Sequence, residues 1–194
     1  MPINIPNLLT WFRILLIPLV VAVFYLPGDW LTHQDRNLAA ALMFAVAAIT
    51  DWLDGYLARA LNQSSAFGAF LDPVADKLMV AAALTVLVQL GRVDAFIAFI
   101  IIGREITISA LREWMAKIGR SKSVAVSFMG KVKTVSQMVA VLLLLYEDTA
   151  FGMIDALELG RILIYVAAVL TVWSMFYYLR LALPQARASG GPLP

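Results

Sequence analysis

Four aspartates with helical spacing are the residues of this sequence most able to do chemistry. They lie in the stretch DWLDGYLARALNQSSAFGAFLDPVADK, where Asp51 and Asp54 are three residues apart and Asp72 and Asp76 are four apart. A helix turns by about 100° per residue, so each pair shares one face of its helix. Carboxylate oxygens are preferred ligands of Mg²⁺ and Mn²⁺, and two such ions can clamp the attacking and leaving oxygens of a displacement at phosphorus. The spacing therefore predicts a divalent-metal site that handles a phosphate-containing substrate at the membrane surface.

A purely structural role for these aspartates is the alternative. Asp72 precedes Pro73, and this pair of residues is typical of a helix N-cap followed by proline at the first helical position. That interpretation does not extend to Asp51 and Asp54, which follow an apolar segment, where negative charge opposes the helix dipole. Ionised side chains at membrane depth cost about 2.5–3.5 kcal/mol each, so something must compensate for four of them. We therefore favour the metal site.

The composition predicts that these carboxylates are carried by an all-α integral membrane protein. Hydrophobic residues make up 62% of the 194 residues and charged residues only 14%, there are no cysteines, and the net charge of +2 gives no indication of nucleic-acid binding. Six apolar stretches are each near the twenty residues that a spanning helix needs. They cover residues 8–26, 38–61, 70–90, 95–114, 124–146 and 162–183.

The distribution of basic residues predicts the orientation of this six-helix bundle. The connection between the fourth and fifth segments carries Lys117, Arg120 and Lys122, whereas the connection between the fifth and sixth is rich in Asp and Glu. Because positively charged loops stay cytoplasmic, we expect both termini and the four aspartates on the cytoplasmic side.

The spacing D-x2-D-G-x2-A-R-x8-G-x3-D-x3-D resembles the motif of the CDP-alcohol phosphatidyltransferases. The matching positions are Asp51, Asp54, Gly55, Ala58, Arg59, Gly68, Asp72 and Asp76. The resemblance implies a six-helix membrane fold, usually dimeric, in which an alcohol displaces CMP from a CDP-linked lipid. It also implies roles for the four aspartates: Asp51, Asp54 and Asp72 as metal ligands, and Asp76 as a ligand and the general base.

The same resemblance implies where the CDP moiety binds. It places Gly55, Ala58 and Arg59 against the nucleotide, together with Asp54, and it assigns Gly68 to the same subsite, where it would also let the two helices pack closely. Near the inner end of the first segment, Thr10 and Arg13 are further candidates for contact with the nucleotide phosphates.

Segments outside the motif narrow the acceptor alcohol. Residues 4–18, 103–116 and 123–138 resemble members of the family that use glycerol 3-phosphate. An anionic acceptor needs fixed cations, and Arg104 and Arg112, offset by about 80° on one helix, could both face the aspartates. The alternative for Arg104 is a buried ion pair with Glu105, and the alternative for Arg112 is positive-inside anchoring.

Two lysines in the fifth segment cannot both face the site. Lys131 and Lys133 are offset by about 200°. We predict that Lys131, which shares a face with Ser127 and Thr134, contacts the acceptor phosphate. Lys133 is assigned to the lipid headgroup region, although headgroup anchoring is an alternative for either lysine.

The resulting prediction is phosphatidyl transfer from CDP-diacylglycerol to sn-glycerol 3-phosphate, giving phosphatidylglycerophosphate and CMP. We expect Mg²⁺ or Mn²⁺, two ions, a homodimer among membrane lipids, and the bacterial inner (cytoplasmic) membrane. Residues 1–184 are predicted to form one catalytic domain and residues 185–194 a disordered tail. The alternatives are the same chemistry with inositol phosphate or serine as acceptor, a membrane prenyltransferase, and a cation channel or transporter.

Overall fold

The computed structural model describes residues 5–61, 66–117, 128–150 and 154–188. Within these ranges the chain is almost entirely helical. The elements are α1 (Ile5–Ala22), a 3-10 turn (Val23–Tyr25), α2 (His33–Ala60), α3 (Ala66–Gln89), α4 (Ala95–Lys117), α5 (Phe128–Tyr146), β1 (Thr149–Ala150), β2 (Ile154–Asp155) and α6 (Ala156–Ala188). The two short strands pair antiparallel between α5 and α6.

Each predicted apolar segment corresponds to one long helix, but six membrane spans are not confirmed. Three of the described helices are long and apolar enough to cross a membrane, over Asn7–Tyr25, His33–Leu57 and Ala156–Arg180. The apolar stretches of α3 and α4 are interrupted by several charged residues, and the apolar part of α5, Val132–Tyr146, is short. At the C-terminus α6 continues to Ala188, four residues past the predicted domain end, and residues 189–194 lie outside the described part.

Local sequence signals fix the ends of two helices at the end of the bundle opposite the aspartates. At the start of α2, Thr32 accepts a hydrogen bond from the backbone of Asp35, and the Asp35 side chain bonds back to the Thr32 backbone. At the end of α3, Gly91 adopts φ +68°, and the amides of Gly91 and Arg92 bond back to carbonyls of the last turn. This reversal directs Arg92 into the bundle.

The main core is an apolar cluster to which all six helices contribute side chains, and a smaller cluster of Ile108, Met115 and Tyr178 joins α4 to α6. The helix α6 packs most extensively on α5, while α1 packs on α2 and α3. Gly160 permits the close approach of α6 to α5, because a Cβ there would lie 2.8 Å from Cγ of Leu144. Large apolar side chains such as Trp52, Phe99 and Trp173 point outward, which is expected of a surface that faces lipid.

A buried arginine joins three parts of the fold at the end opposite the aspartates. Arg92, 4% exposed, donates to the carbonyls of Leu144 (2.9 Å) and Leu145 (3.1 Å). It also donates to Asn37 (2.9 Å) and to the Glu147 carboxylate (2.5 Å). Burial lowers the pKa of the Arg92 guanidinium, and Glu147 opposes that shift. The contacts satisfy the last carbonyls of α5 and join that helix to α2 and to the α3–α4 turn.

Candidate active site

The four motif aspartates lie in the C-terminal part of α2 and the N-terminal part of α3, and three of them line one cavity. The cavity has a volume of about 370 Å³ and is bounded by residues of α2, α3, α4 and α5. Its lining residues are Asp51, Asp72, Pro73, Asp76, Lys77, Arg104, Glu105, Ile108, Ser109, Arg112 and Thr134. Carboxylates from two helices therefore share one cavity with cations from a third, as the sequence predicts for Asp51, Asp72, Asp76, Arg104 and Arg112.

The structure rejects the helix-capping explanation of Asp72. The helix α3 begins at Ala66, so Asp72 and Pro73 lie inside it rather than at its first turn. Asp51 and Asp54 lie near the C-terminal end of α2, as predicted. The functional interpretation of Asp72 therefore does not compete with a capping role.

Arg13 of α1 bridges the two aspartates of α2. Its Nη1 lies 2.5 Å from a carboxylate oxygen of Asp51, and its Nη2 donates to Asp54. Arg13 is 1% exposed and the Asp54 side chain 4%, whereas the Asp51 side chain is 42% exposed. On the same helix, Thr10 donates a hydrogen bond of 2.6 Å to Asp72. Sequence reasoning selected Thr10 and Arg13 for the nucleotide, but here both donate to the aspartates.

The chemistry of the carboxylates fits a divalent cation, although their present arrangement does not enclose one. Asp51, Asp72 and Asp76 offer hard oxygen ligands to the same cavity. Among the residues that the structure describes, no three acidic or histidine side chains converge closely enough to hold an ion. Arg13 provides positive charge to the α2 pair, so an ion that used both Asp51 and Asp54 would compete with its guanidinium.

A second charge cluster lies beside Asp76, where a side chain of α5 reaches the side chains of α4. Glu105 accepts from Nη1 of Arg104 (3.2 Å) and from the ammonium of Lys133. Glu105, Lys133 and Asp76 line a smaller cavity of about 60 Å³. The predicted pair of Arg104 with Glu105 is therefore present, but Arg104 also lines the larger cavity.

The assignment of Lys133 to the headgroup region is wrong. Its side chain is 1% exposed and faces the interior. The face of α5 that carries Lys133 also carries Gln137, Ala140 and Leu144, all of them buried, so helical phase turns the lysine inward. The prediction turned Lys131 inward because it shares a helix face with Ser127 and Thr134. The face that the structure buries is instead the one that carries Lys133.

Two residues of α6 contact the arginines of α4, and sequence reasoning identified neither. Ser174 accepts a hydrogen bond of 3.1 Å from Nη2 of Arg104. The Arg112 guanidinium lies over the Tyr178 ring, 5.8 Å from its centroid. Both α6 residues are buried, at 4% and 1% exposure. The four-residue spacing of Ser174 and Tyr178, which puts both polar groups on one face of α6, could have indicated them.

Some side chains of the predicted site are not among those that the structure describes. The side chains of Ala58, Arg59 and Lys131 are not among those that the structure describes, so their predicted contacts stay predictions. Gly55 is half-buried on α2, and Gly68 is buried on α3. Both glycines lie on the helices that carry the aspartates.

Comparison with known proteins identifies the family of this chain. The CDP-alcohol phosphatidyltransferase family model matches residues 3–173. Relatives from Shigella flexneri serotype 5b and Escherichia coli strain K12 are each 53% identical over 184 residues, covering 94% of this chain and 96% of the relative. Each is named CDP-diacylglycerol–glycerol-3-phosphate 3-phosphatidyltransferase. With the family model covering most of its length and its motif aspartates gathered around one cavity, the chain belongs to the CDP-alcohol phosphatidyltransferase family.

Proposed function

We propose that this protein is a multi-pass membrane enzyme that transfers the phosphatidyl group of CDP-diacylglycerol to sn-glycerol 3-phosphate. The products are phosphatidylglycerophosphate and CMP. The family membership and the names of the relatives support the reaction. The structural observation that supports it most is the single cavity in which Asp51, Asp72 and Asp76 face Arg104 and Arg112. Such a cavity offers separate regions to a metal-bound diphosphate and to an anionic acceptor.

The arginine side of the cavity is the proposed site for the acceptor phosphate. Guanidinium groups bind phosphate through paired, charge-assisted hydrogen bonds, and Arg104 and Arg112 both line the cavity. Lys133 adds positive charge behind Glu105, and Lys131 remains a candidate on the same helix. Phosphate held here would place the acceptor hydroxyl on the aspartate side.

Asp76 is the proposed general base. It lines the larger cavity together with Arg104 and the smaller cavity together with Glu105. An alcohol is a poor nucleophile at neutral pH, so a carboxylate that accepts its proton as the new bond forms lowers the barrier. The acceptor oxygen attacks the phosphorus that carries diacylglycerol, the bond from that phosphorus to the CMP oxygen breaks, and Asp76 takes the hydroxyl proton.

We further propose that the four aspartates hold divalent cations, Mg²⁺ or Mn²⁺ and two in number. Bound there, the ions would stabilise the charge that develops on the departing CMP phosphate. The α2 segment with Gly55, Ala58 and Arg59 would bind the CDP moiety, and Gly68 would let α3 approach it. Their positions between or beside the aspartates on α2 and α3 support this assignment.

Thr10 and Arg13 have a different proposed role in the same site. Because their donors already contact Asp72, Asp51 and Asp54, we infer that they orient these carboxylates. Among the residues that the structure describes, the buried Nε of Arg13 has no hydrogen-bond partner. Any contact with the nucleotide would then be additional to this orienting role.

Orientation and assembly are also proposals. The positive connection after α4 supports a cytoplasmic site and cytoplasmic termini in a bacterial inner membrane. Family membership supports a homodimer.

A panel of acceptors tests the function. Purified protein in detergent is given CDP-diacylglycerol with glycerol 3-phosphate, inositol phosphate or serine, and CMP release is measured in EDTA, Mg²⁺ or Mn²⁺. We expect turnover with glycerol 3-phosphate and a divalent cation, and none in EDTA. No turnover with glycerol 3-phosphate alongside turnover with another acceptor would refute the substrate assignment.

A further inference from the structure

The two arginines of the acceptor side are both held by one face of α6. Ser174 and Tyr178 are four residues apart on that helix, and Arg104 and Arg112 are eight apart on α4. The contacts pair Ser174 with Arg104 and Tyr178 with Arg112. Both α6 side chains are buried, so the surrounding packing holds each of them in place.

The contact of Ser174 fixes the direction of the Arg104 guanidinium. The Ser174 hydroxyl donates to the carbonyl of Thr171 at 2.9 Å, which leaves its oxygen to accept from Arg104 at 3.1 Å. The other terminal nitrogen of Arg104 donates to Glu105 at 3.2 Å. Because the guanidinium is planar, a contact at each terminal nitrogen restricts its rotation.

The contact of Tyr178 acts on a different arginine in a different way. Arg112 is exposed, and a long cationic side chain in that position would otherwise sample several rotamers. The Tyr178 ring is packed against Ile108 and Met115 and offers its face to the guanidinium, 5.8 Å from the ring centroid. A cation–π contact of this kind favours one arginine position without using the donors that bind phosphate.

We propose that Ser174 and Tyr178 are positioning residues, which hold Arg104 and Arg112 in place to bind one phosphate group of the acceptor. The inference rests on the proposed function, in which these two arginines bind glycerol 3-phosphate. Preorganised guanidinium groups lose less freedom on binding, so the effect falls on acceptor affinity. Through these two residues, α6 influences the affinity for glycerol 3-phosphate.

Substitutions at Ser174 test the hydrogen bond. Ser174→Ala should raise the KM for glycerol 3-phosphate about tenfold, the effect of losing one hydrogen bond to a charged group. Ser174→Thr and Ser174→Val have nearly the same volume and differ in the hydroxyl, so Thr should stay near the wild-type KM and Val should match Ala. The KM for CDP-diacylglycerol and kcat should be unchanged in all three variants.

Substitutions at Tyr178 test the aromatic contact. Tyr178→Leu should raise the KM for glycerol 3-phosphate about 2–5-fold, whereas Tyr178→Phe, which keeps the ring face, should stay within about twofold of wild type. Tyr165→Leu is the matched control, because Tyr165 is an exposed tyrosine elsewhere on α6. Equal effects of Phe and Leu at position 178 would overturn the positioning role of the ring.

Arginine variants separate the two levels of the proposal. If Arg104→Ala and Arg112→Ala leave the KM for glycerol 3-phosphate unchanged, the proposed acceptor site is wrong and the inference fails with it. If they raise it, Ser174→Ala should add no further increase in the Arg104→Ala background. An undiminished effect in that background, or an equal rise in the KM for both substrates, would overturn the role of α6 alone.

Discussion

Replacing Arg13 by methionine should destabilise the protein most when no divalent cation is present. The substitution keeps much of the length and apolar volume of the side chain but removes the charge between Asp51 and Asp54. The Asp54 side chain is 4% exposed, and breaking such a buried pair costs about 3–5 kcal/mol. The Asp51 side chain is 42% exposed, so its pair adds at most about 1 kcal/mol.

The assay is thermal unfolding in detergent, with EDTA or with saturating Mg²⁺. A loss of about 4 kcal/mol corresponds to a midpoint roughly 8–16 °C lower for a chain of this size. In wild type an ion would compete with the Arg13 guanidinium for Asp51 and Asp54, and in Arg13→Met it would not. Because binding to the folded state raises stability, Mg²⁺ should raise the midpoint of Arg13→Met more than that of wild type. Arg180→Met is the control, because Arg180 is an exposed arginine of α6. Two results would refute the role of Arg13 as the balancing cation. One is an unfolding midpoint of Arg13→Met in EDTA equal to that of wild type, and the other is an equal rise of the midpoint with Mg²⁺ in both proteins.

Two further predictions concern packing and the outer end of the bundle. Gly160→Ala should lower stability by about 1–3 kcal/mol because its Cβ would meet α5. Gly103→Ala should be neutral or slightly stabilising, because a Cβ there would have no atom of the described residues within 4 Å. Unfolding midpoints measure both effects, and equal shifts would count against the close approach of α6 to α5. Arg92→Met should lower the free energy of unfolding by about 3 kcal/mol, the lower end for a buried ion pair, because Glu147 is partly exposed. The KM values for CDP-diacylglycerol and glycerol 3-phosphate should not change. Arg161, which is exposed, lines a cavity of about 490 Å³ together with Arg92, and Arg161→Met should have little effect on stability. A changed KM in Arg92→Met would contradict a purely structural role.

The aspartate faces could be predicted from the sequence because they depend on local geometry alone. Spacings of three and four residues put Asp51 with Asp54 and Asp72 with Asp76 whatever the rest of the chain does. The same rule could have placed Lys133, since it lies four residues before Gln137 on the buried face of α5. Comparing the lysines with their polar neighbours instead gave the wrong answer.

The contacts between helices could not be predicted in this way. Arg13 meets Asp51 across 38 residues of sequence, and Arg104 meets Ser174 across 70. Periodicity gives the face of each helix but not how two helices are rotated against each other, which their packing determines. The start of α3 was also beyond a local rule, because the Asp72-Pro73 pair suits a helix start while the structure continues the helix back to Ala66.

One substitution directly tests whether Asp76 takes the acceptor's proton in a glycerol 3-phosphate transferase. Asp76→Asn keeps the size of the side chain and removes its basicity; Asp94→Asn, at an exposed helix start near the outer end, is the matched control. CMP release from CDP-diacylglycerol with glycerol 3-phosphate and Mg²⁺ is measured beside binding of CDP-diacylglycerol. We predict that Asp76→Asn loses at least about 100-fold in kcat while CDP-diacylglycerol binding is largely retained and Asp94→Asn stays near wild type. Turnover by Asp76→Asn at the wild-type rate would contradict the account.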